Sequence, residues 1–349
     1  MPRTGPPERP GLDEDPKLIT AQAVVHEGRC TISAQQSGVG PEVPPDWEKT
    51  AEGGPWPFVT WRSYQLPDDS DYVWESRHHR KGAGPRTYAD RVGLRITSAG
   101  EHDLAKSPWL RFWAPHRLAW WIALVFMIGS VFFVVGAAGS LVPEYFGSEH
   151  AMSAFAESSY FLGATLYTAS IYAQLLETIN ADRTIAPDRS TRAPKQFRWF
   201  AFEVPHLEFL VPFVLLLGSL VFNYETVFAV GATFDVLPRL GLWASSLLGS
   251  LLFLASGVLQ FIEAGHGYLR FDPRNVSCWV GLLFIIGSIG FVLGSLPGLG
   301  TPGLPTNDTG AGALIVKIGF LVGGIAYLAG SYLMLPEMFT QLRDQSRRA

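Results

Sequence analysis

The sequence contains almost no cysteine. Only two of its 349 residues, Cys30 and Cys278, carry a thiol. Two thiols so far apart form neither a disulfide framework nor a cysteine-based metal cluster. The chain also lacks a phosphate-binding loop, the Gly-x-Ser-x-Gly turn of α/β-hydrolases and the His-Glu-x-x-His pattern of zinc proteases. These absences predict a protein that is not an enzyme and that needs no cofactor or metal.

Charge is scarce along most of the second two-thirds of the chain. Hydrophobic residues make up 48% of the sequence and charged residues only 17%. A helix of about 20 apolar residues crosses a hydrocarbon layer of about 30 Å, and only a helix satisfies its own backbone there. The sequence therefore predicts an all-α polytopic membrane protein. Its six spans are expected at Leu118–Val142, Tyr160–Leu176, Leu207–Phe228, Leu242–Ile262, Cys278–Leu296 and Leu314–Leu335.

Basic residues concentrate on one side of these runs. In the loops on the other side, Arg239 is the only lysine or arginine. Lysine and arginine are enriched in cytoplasmic segments, so both termini are expected in the cytoplasm. The basic connectors and tail carry Arg183, Arg189, Arg192, Lys195, Arg198, Arg270, Arg274, Arg343, Arg347 and Arg348.

The first third is predicted to be cytoplasmic. Residues 1–18 are rich in proline, glycine and charge, which is typical of a disordered tail. Residues 19–110 contain short β-type stretches between prolines, which predicts an irregular or β-containing region. Such a region could fold as a small β module or lie as an ordered wrap against the helices, and we favour the wrap.

A basic segment precedes the first span. Residues 77–117 contain nine lysines and arginines against three acidic residues. Such a segment attracts anionic lipid at about 1 kcal/mol per basic residue, although an ordinary cytoplasmic flank has the same composition. Membrane lipids, anionic ones included, are the expected partners. Nothing in the sequence points to nucleic acid.

The same two-helix pattern occurs three times. The first helix of each copy carries Gly-Ser and then Phe, and the second carries Gly, an aromatic residue at offset 4, a small residue at offset 7 and Glu at offset 14. The three copies predict membrane hairpins at residues 111–180, 197–266 and 270–340, followed by a tail at 341–349. The first helices contribute Gly129, Gly218 and Gly287, and the second helices contribute Gly163, Gly249 and Gly323.

The repeated positions share one helical face. At about 100° per residue, offsets 0, 4, 7, 11 and 14 fall within a stripe roughly 80° wide. Small residues on such a stripe let membrane helices approach closely, so the six glycines are predicted to be packing residues. Because all three hairpins start and end on the same side, they are expected to be parallel repeats around a pseudo-threefold axis.

The glutamate at offset 14 needs a partner. Glu177, Glu263 and Glu337 each lie at a helix C-terminus, where the helix dipole disfavours a carboxylate by roughly 0.3–1 kcal/mol. One interpretation pairs them with the arginines before the first helices, Arg111, Arg198 and Arg270. The other interpretation makes them a ring of carboxylates at the cytoplasmic mouth of a channel, below Gln174 and Gln260 at offset 11.

The hairpin pattern Gly-Ser-x-x-Phe, an outside loop and Gly-x-x-x-(Phe/Tyr) resembles the YrhK-like domain of bacterial membrane proteins. That domain is a two-helix unit, and here it would occur three times. The resemblance implies a multi-pass protein of the bacterial inner membrane and supplies no catalytic residue to transfer.

Three functions are compatible with these features. The first is a structural or accessory membrane protein that interacts with lipid or partner proteins, and packing residues without a charged core favour it. The second is a small channel or transporter, which the three glutamates and two glutamines favour. The third is a sensor of membrane state that acts through the basic flank.

Overall fold

The computed structural model describes residues 23–26, 29–32, 43–69, 71–83, 109, 112–181, 196–203, 206–234, 242–299 and 310–348. The predicted disordered tail at 1–18 lies outside these residues. The chain divides into two compact units, Met1–Gly38 and Val39–Ala349. In the first unit, β1 (Ala23–His26) and β2 (Arg29–Ile32) form an antiparallel pair.

The second unit begins with a three-stranded antiparallel sheet of β3 (Glu48–Gly53), β4 (Trp61–Gln65) and β5 (Asp71–Glu75), in that order. Tyr64 and Trp74 are buried beneath it. The expectation of a β-containing N-terminal region is therefore confirmed. The sheet also contacts the helices through the residues that follow β5, so the β module and the wrap are not exclusive alternatives.

The rest of the described chain is mostly helical. It contains six long helices. Five of these are long and apolar enough to cross a membrane, and the exception is the second, α2. Two short 3₁₀ turns, Pro143–Tyr145 and Pro297–Leu299, follow the first and fifth helices. The helices are α1 (Leu118–Leu141), α2 (Glu149–Ile179), α3 (Leu207–Thr233), α4 (Leu242–Gly265), α5 (Val276–Ser295) and α6 (Gly310–Arg348).

Two helices extend well beyond the apolar runs that predicted them. The expected second span began at Tyr160, but α2 begins eleven residues earlier, where the Ser148 side chain accepts a hydrogen bond from the Ala151 amide at 3.1 Å. A cap of this kind sets a helix start independently of hydropathy. At the other end of the chain, α6 continues to Arg348 through most of the segment expected to be a tail.

The six helices pack in chain order, each against the next, and α6 also packs against α1. The axis of this arrangement is filled by aromatic rings. The ring centroids of Tyr167 and Phe253 each lie 5.8 Å from that of Tyr327, and the first two lie 6.4 Å apart. Next to this layer, Phe291 lies 5.5 Å from Phe133 and 5.9 Å from Phe222. These rings form an apolar core along the axis.

The repeated glycines allow these rings to enter the core. A Cβ atom on Gly129 would lie 2.7 Å from the Tyr167 ring, and one on Gly163 would lie 2.7 Å from the Phe133 ring. The Tyr167 hydroxyl is 2.8 Å from Ser130 Oγ, which itself donates to the Phe126 carbonyl. The Gly-Ser pair thus accommodates the ring and binds its hydroxyl. The same glycine–ring contacts occur at Gly218 with Phe253, Gly249 with Phe222, Gly287 with Tyr327 and Gly323 with Phe291.

Candidate functional site

A short basic turn, residues 76–81, leads from β5 onto the ends of the helices. It begins where the Ser76 amide donates to the Thr60 carbonyl at 2.9 Å, which ties the turn to the start of β4. Three of its side chains point into the protein rather than into solvent: Arg77, His79 and Arg80 are each 3% exposed. Buried cations need carboxylates close by, and the helices supply them.

Glu263, near the end of α4, is completely buried. Its Oε2 accepts a hydrogen bond from Arg80 Nη2 at 2.9 Å and lies 3.8 Å from Arg77 Nη1. Its Oε1 accepts a hydrogen bond from Ser76 Oγ at 2.7 Å. Both carboxylate oxygens are therefore occupied by the basic turn.

Glu337, in α6, is bound in the same way. Its Oε1 accepts from Arg77 Nε at 2.7 Å and from Ser277 Oγ of α5 at 2.5 Å. Its Oε2 accepts from Lys81 Nζ. Arg77 contacts both glutamates and therefore bridges α4 and α6.

The two adjacent histidines of the turn separate. Nδ1 of His79 is 2.9 Å from Glu208 Oε2 at the start of α3, and both side chains are buried. Nδ1 of His78 is instead 3.1 Å from Glu75 Oε2, within the sheet region. Glu208 is thus a third helix carboxylate that meets the turn.

The glutamate of the first repeat interacts more weakly with the basic turn. Glu177, near the end of α2, is partly buried and interacts electrostatically with Lys81 and Arg80. About one turn before the glutamate, Gln174 of α2 and Gln260 of α4 are buried. Neither Nε2 atom has a hydrogen-bond partner among the described residues. This polar pair lies between the charged ends and the aromatic core.

Two of the three expected arginine partners, Arg198 and Arg270, do not pair with the glutamates. Arg198 pairs with Glu203 at 2.9 Å and donates to the Ile179 carbonyl, and Arg270 is exposed. Arg111 lies outside the described residues. The cations on Glu263 and Glu337 come instead from a segment 183–260 residues away in sequence, because the sheet carries that segment to the helices.

Electrostatics keep the turn charged near neutral pH. Burial lowers the pKa of Lys81 to about 8, although the Glu337 carboxylate acts to raise it. Burial also acts to lower the pKa of Arg77, but the two glutamates leave it above its ordinary value. Three cations, Arg77, Arg80 and Lys81, thus neutralise charge that the helix carboxylates would otherwise hold uncompensated. We call this group the charged cluster: residues 76–81 with Glu177, Glu208, Glu263 and Glu337.

Sequence reasoning missed the basic turn, Glu208 and Ser277. One signal was available: Arg77-His-His-Arg-Lys81 is an unbroken run of basic residues, whereas the expected partners are isolated arginines. Arg77, Arg80 and Lys81 contact carboxylates here rather than forming a lipid-facing surface. The remainder of the predicted lipid-binding flank lies almost entirely outside the described residues.

The fold defined by these observations is a helical assembly, five of whose helices could cross a membrane, with a small sheet docked at one end through a buried charged cluster. Comparison with protein-family models gave no match, and neither did comparison with curated proteins or with solved structures. The YrhK-like resemblance stays a prediction that rests on the repeated Gly-Ser, aromatic and glutamate positions.

Proposed function

We propose that the chain is a non-enzymatic integral membrane protein of structural or accessory type, which anchors its N-terminal β-sheet region at the cytoplasmic face of the inner membrane. The charged cluster carries this proposal. It ties the segment after β5 to helices α4 and α6 with buried ion pairs and to α3 through the buried His79–Glu208 contact, which supports a sheet region held firmly on the helices.

The proposal includes a sixth span. Although α2 is less apolar than the others, it packs between α1 and α3 and contributes Tyr167 to the axial core. With α2 in the membrane, the helices form three parallel hairpins around a pseudo-threefold axis, and the arginine asymmetry puts both termini on the cytoplasmic side.

The channel alternative receives less support. Conduction requires a continuous polar path, whereas the axis is filled by Tyr167, Phe253, Tyr327 and the phenylalanines next to them. Two of the three carboxylates expected at a mouth, Glu263 and Glu337, are bound to the basic turn. The sensor alternative relied on free basic residues, and three of these are buried in the charged cluster.

Two measurements on purified protein test the proposal. Limited trypsin digestion followed by mass spectrometry should leave the bonds after Arg77, Arg80 and Lys81 intact in the wild type, since trypsin cannot reach buried side chains. The double variant Glu263→Gln/Glu337→Gln should be cut there, while Glu144→Gln, an exposed acid at the other end of α1, should remain protected.

The second measurement is ion efflux from sealed liposomes that contain the protein. An anchor with a closed core should produce no efflux above that of empty liposomes. Efflux from wild-type liposomes would establish the channel reading in its place, and rapid cleavage at Arg77 in the wild type would remove the anchoring role.

A further inference from the structure

The two ends of the three-stranded sheet differ in chemistry. The loop between β3 and β4, residues 54–60, contains no charged residue, and its Trp56 side chain is 78% exposed. The connection at the opposite end of β4 carries three exposed acids, Asp68, Asp69 and Asp71. An exposed tryptophan on an uncharged loop favours contact with an apolar surface, whereas the acidic end favours water.

The β3–β4 loop lies against the residues that follow α4. The Trp56 carbonyl accepts a hydrogen bond from the Tyr268 hydroxyl, and the Thr60 hydroxyl is 3.0 Å from Nδ1 of His266. The position of the loop next to the helix ends is therefore fixed. Because Trp56 makes its contact through the backbone, the indole stays exposed, and a substitution at this position keeps the acceptor.

Two tryptophans mark the level at which the helices enter the membrane. Trp121 lies in the first turn of α1 and Trp279 in the first turn of α5, and they are 49% and 40% exposed. Each indole Nε1 donates to the carbonyl of a proline six residues earlier, Pro115 at 2.9 Å and Pro273 at 3.0 Å. Exposed tryptophans at the ends of apolar helices lie at the headgroup level of a bilayer.

The loop between α4 and α5 places Trp56 close to this level. The ring centroids of Phe271 and Trp279 are 5.0 Å apart. Tyr268, which holds the Trp56 carbonyl, precedes Phe271 by three residues, or about 10 Å of chain. Tyr268 is 57% exposed, and Arg270 beside it is also exposed. Exposed aromatic and basic side chains together are typical of the zone where headgroups meet hydrocarbon.

We propose that the β3–β4 loop is a lipid-contact surface, with the Trp56 indole inserted among the phospholipid headgroups of the adjacent leaflet. This rests on the proposed function, which places the helices across the membrane and the sheet at its cytoplasmic face. The acidic end of the sheet then lies away from the leaflet, where anionic headgroups do not repel it. The sheet region is thus held at two places, by the charged cluster on the helices and by Trp56 on lipid.

Spin labels on single cysteines test this contact in the full-length protein. The background is Cys30→Ser/Cys278→Ala, reconstituted in liposomes of phosphatidylcholine and phosphatidylglycerol. Collisions with oxygen, which concentrates in lipid, and with a water-soluble nickel chelate report the surroundings of each label. The oxygen-to-nickel ratio at Trp56→Cys should exceed that at Asp71→Cys, on the exposed acidic end of the same sheet, and shift toward that of a lipid reference.

The lipid reference is Ile286→Cys, 41% exposed in the middle of α5. If the labels at Trp56 and Asp71 give the same water-exposed ratio while the label at Ile286 lies in lipid, the lipid contact is wrong and the membrane span stands. If the label at Ile286 is also exposed to water, the span fails and the lipid contact fails with it. Trypsin cleavage at Arg77 separately reports the state of the charged cluster.

A second measurement uses the native indole. In liposomes of phosphatidylcholine that is brominated near the headgroup end of its chains, bromine quenches the emission of indoles in contact with lipid. Trp56→Phe should therefore lower the quenched fraction of the total tryptophan emission. Trp47→Phe is the matched control, because this ring packs against Tyr64 and Tyr72 within the sheet, and its loss should not lower that fraction. A quenched fraction in Trp56→Phe equal to that of the wild type would overturn the proposal.

Discussion

At the scale of single residues, Glu263 and Glu337 stabilise the fold only because their cations are present. Each is at most 2% exposed, and each receives hydrogen bonds on both oxygens. Such pairs cost much to desolvate, so their intact contribution is small. Removing one partner of such a pair is strongly destabilising, because the remaining buried charge then lacks its counterion.

Glu337→Gln should therefore destabilise the protein by about 3–5 kcal/mol. Unfolding in detergent by heat and by denaturant measures the loss. Adding Lys81→Met to this variant should recover part of it, because the second change removes one of the orphaned cations. The exposed Glu144→Gln should change stability by no more than about 0.5 kcal/mol. Additive losses in the double variant would contradict the pairing.

His266, which follows α4, gives a pH dependence. Its Nδ1 lies 3.0 Å from Thr60 Oγ1, and its φ of 53° falls in the left-handed region. Burial lowers the pKa of His266 below the usual 6.5, aided by His78 and Arg270 and opposed by Glu75 and Glu263. Below pH 6.5 the unfolded chain therefore binds more protons at this site than the folded protein does, and stability falls as the pH falls.

The melting temperature of the wild type should accordingly drop further between pH 7 and pH 5 than that of His266→Asn. Asparagine tolerates the left-handed backbone and does not titrate. The difference between the two proteins isolates this histidine from every other titrating group. Parallel pH curves would show that His266 is not held neutral.

At the scale of helices, the repeated motif determines how the two helices of each hairpin pack together. A glycine on each partner receives the other's aromatic ring, so the two backbones approach where the rings interlock. A side chain larger than hydrogen at these positions meets a ring that is itself fixed within the axial core.

Gly249→Leu should consequently destabilise the protein by about 1–3 kcal/mol, the usual cost of overpacking. A Cβ atom there would already lie 2.7 Å from the Phe222 ring and 3.2 Å from the Gly218 carbonyl. Leu251→Phe adds bulk two residues away on a side chain that is 45% exposed, and should leave the melting temperature nearly unchanged. Similar melting temperatures for the two variants would contradict the close packing of glycines against aromatic rings.

The repeat allowed the packing face to be predicted because identical residues at fixed offsets point in one direction on a helix. The positions of Gly163, Gly249 and Gly323 could be predicted in this way, and all three are buried. The partners of Glu263 and Glu337 could not be, because sequence proximity suggested the nearest arginines. Only the sheet, whose strand pairing is non-local, brings Arg77 and Arg80 to the helix ends. The start of α2 was missed because a serine cap rather than hydropathy sets it.

At the scale of the whole molecule, the membrane orientation is open to a direct test. In a background with Cys30→Ser and Cys278→Ala, a cysteine at Glu144 should react with a membrane-impermeant maleimide added to intact cells. One at Leu269, which is 93% exposed and lies between α4 and α5, should react only after permeabilisation. The reverse pattern would invert the topology and place the sheet region outside.

The sequence separations within the charged cluster carry a consequence for biosynthesis. Ribosomes deliver residues 76–81 long before Glu263 and Glu337, which follow 187 and 260 residues later. At about 5–20 residues per second, the last of these partners emerges on the order of 10–50 s after the basic turn. Glu208 and Glu263 reach the turn earlier, but a nascent chain that stops before α6 leaves Arg77 and Lys81 without Glu337. Closure of the whole cluster is therefore a late event that requires the insertion of α6.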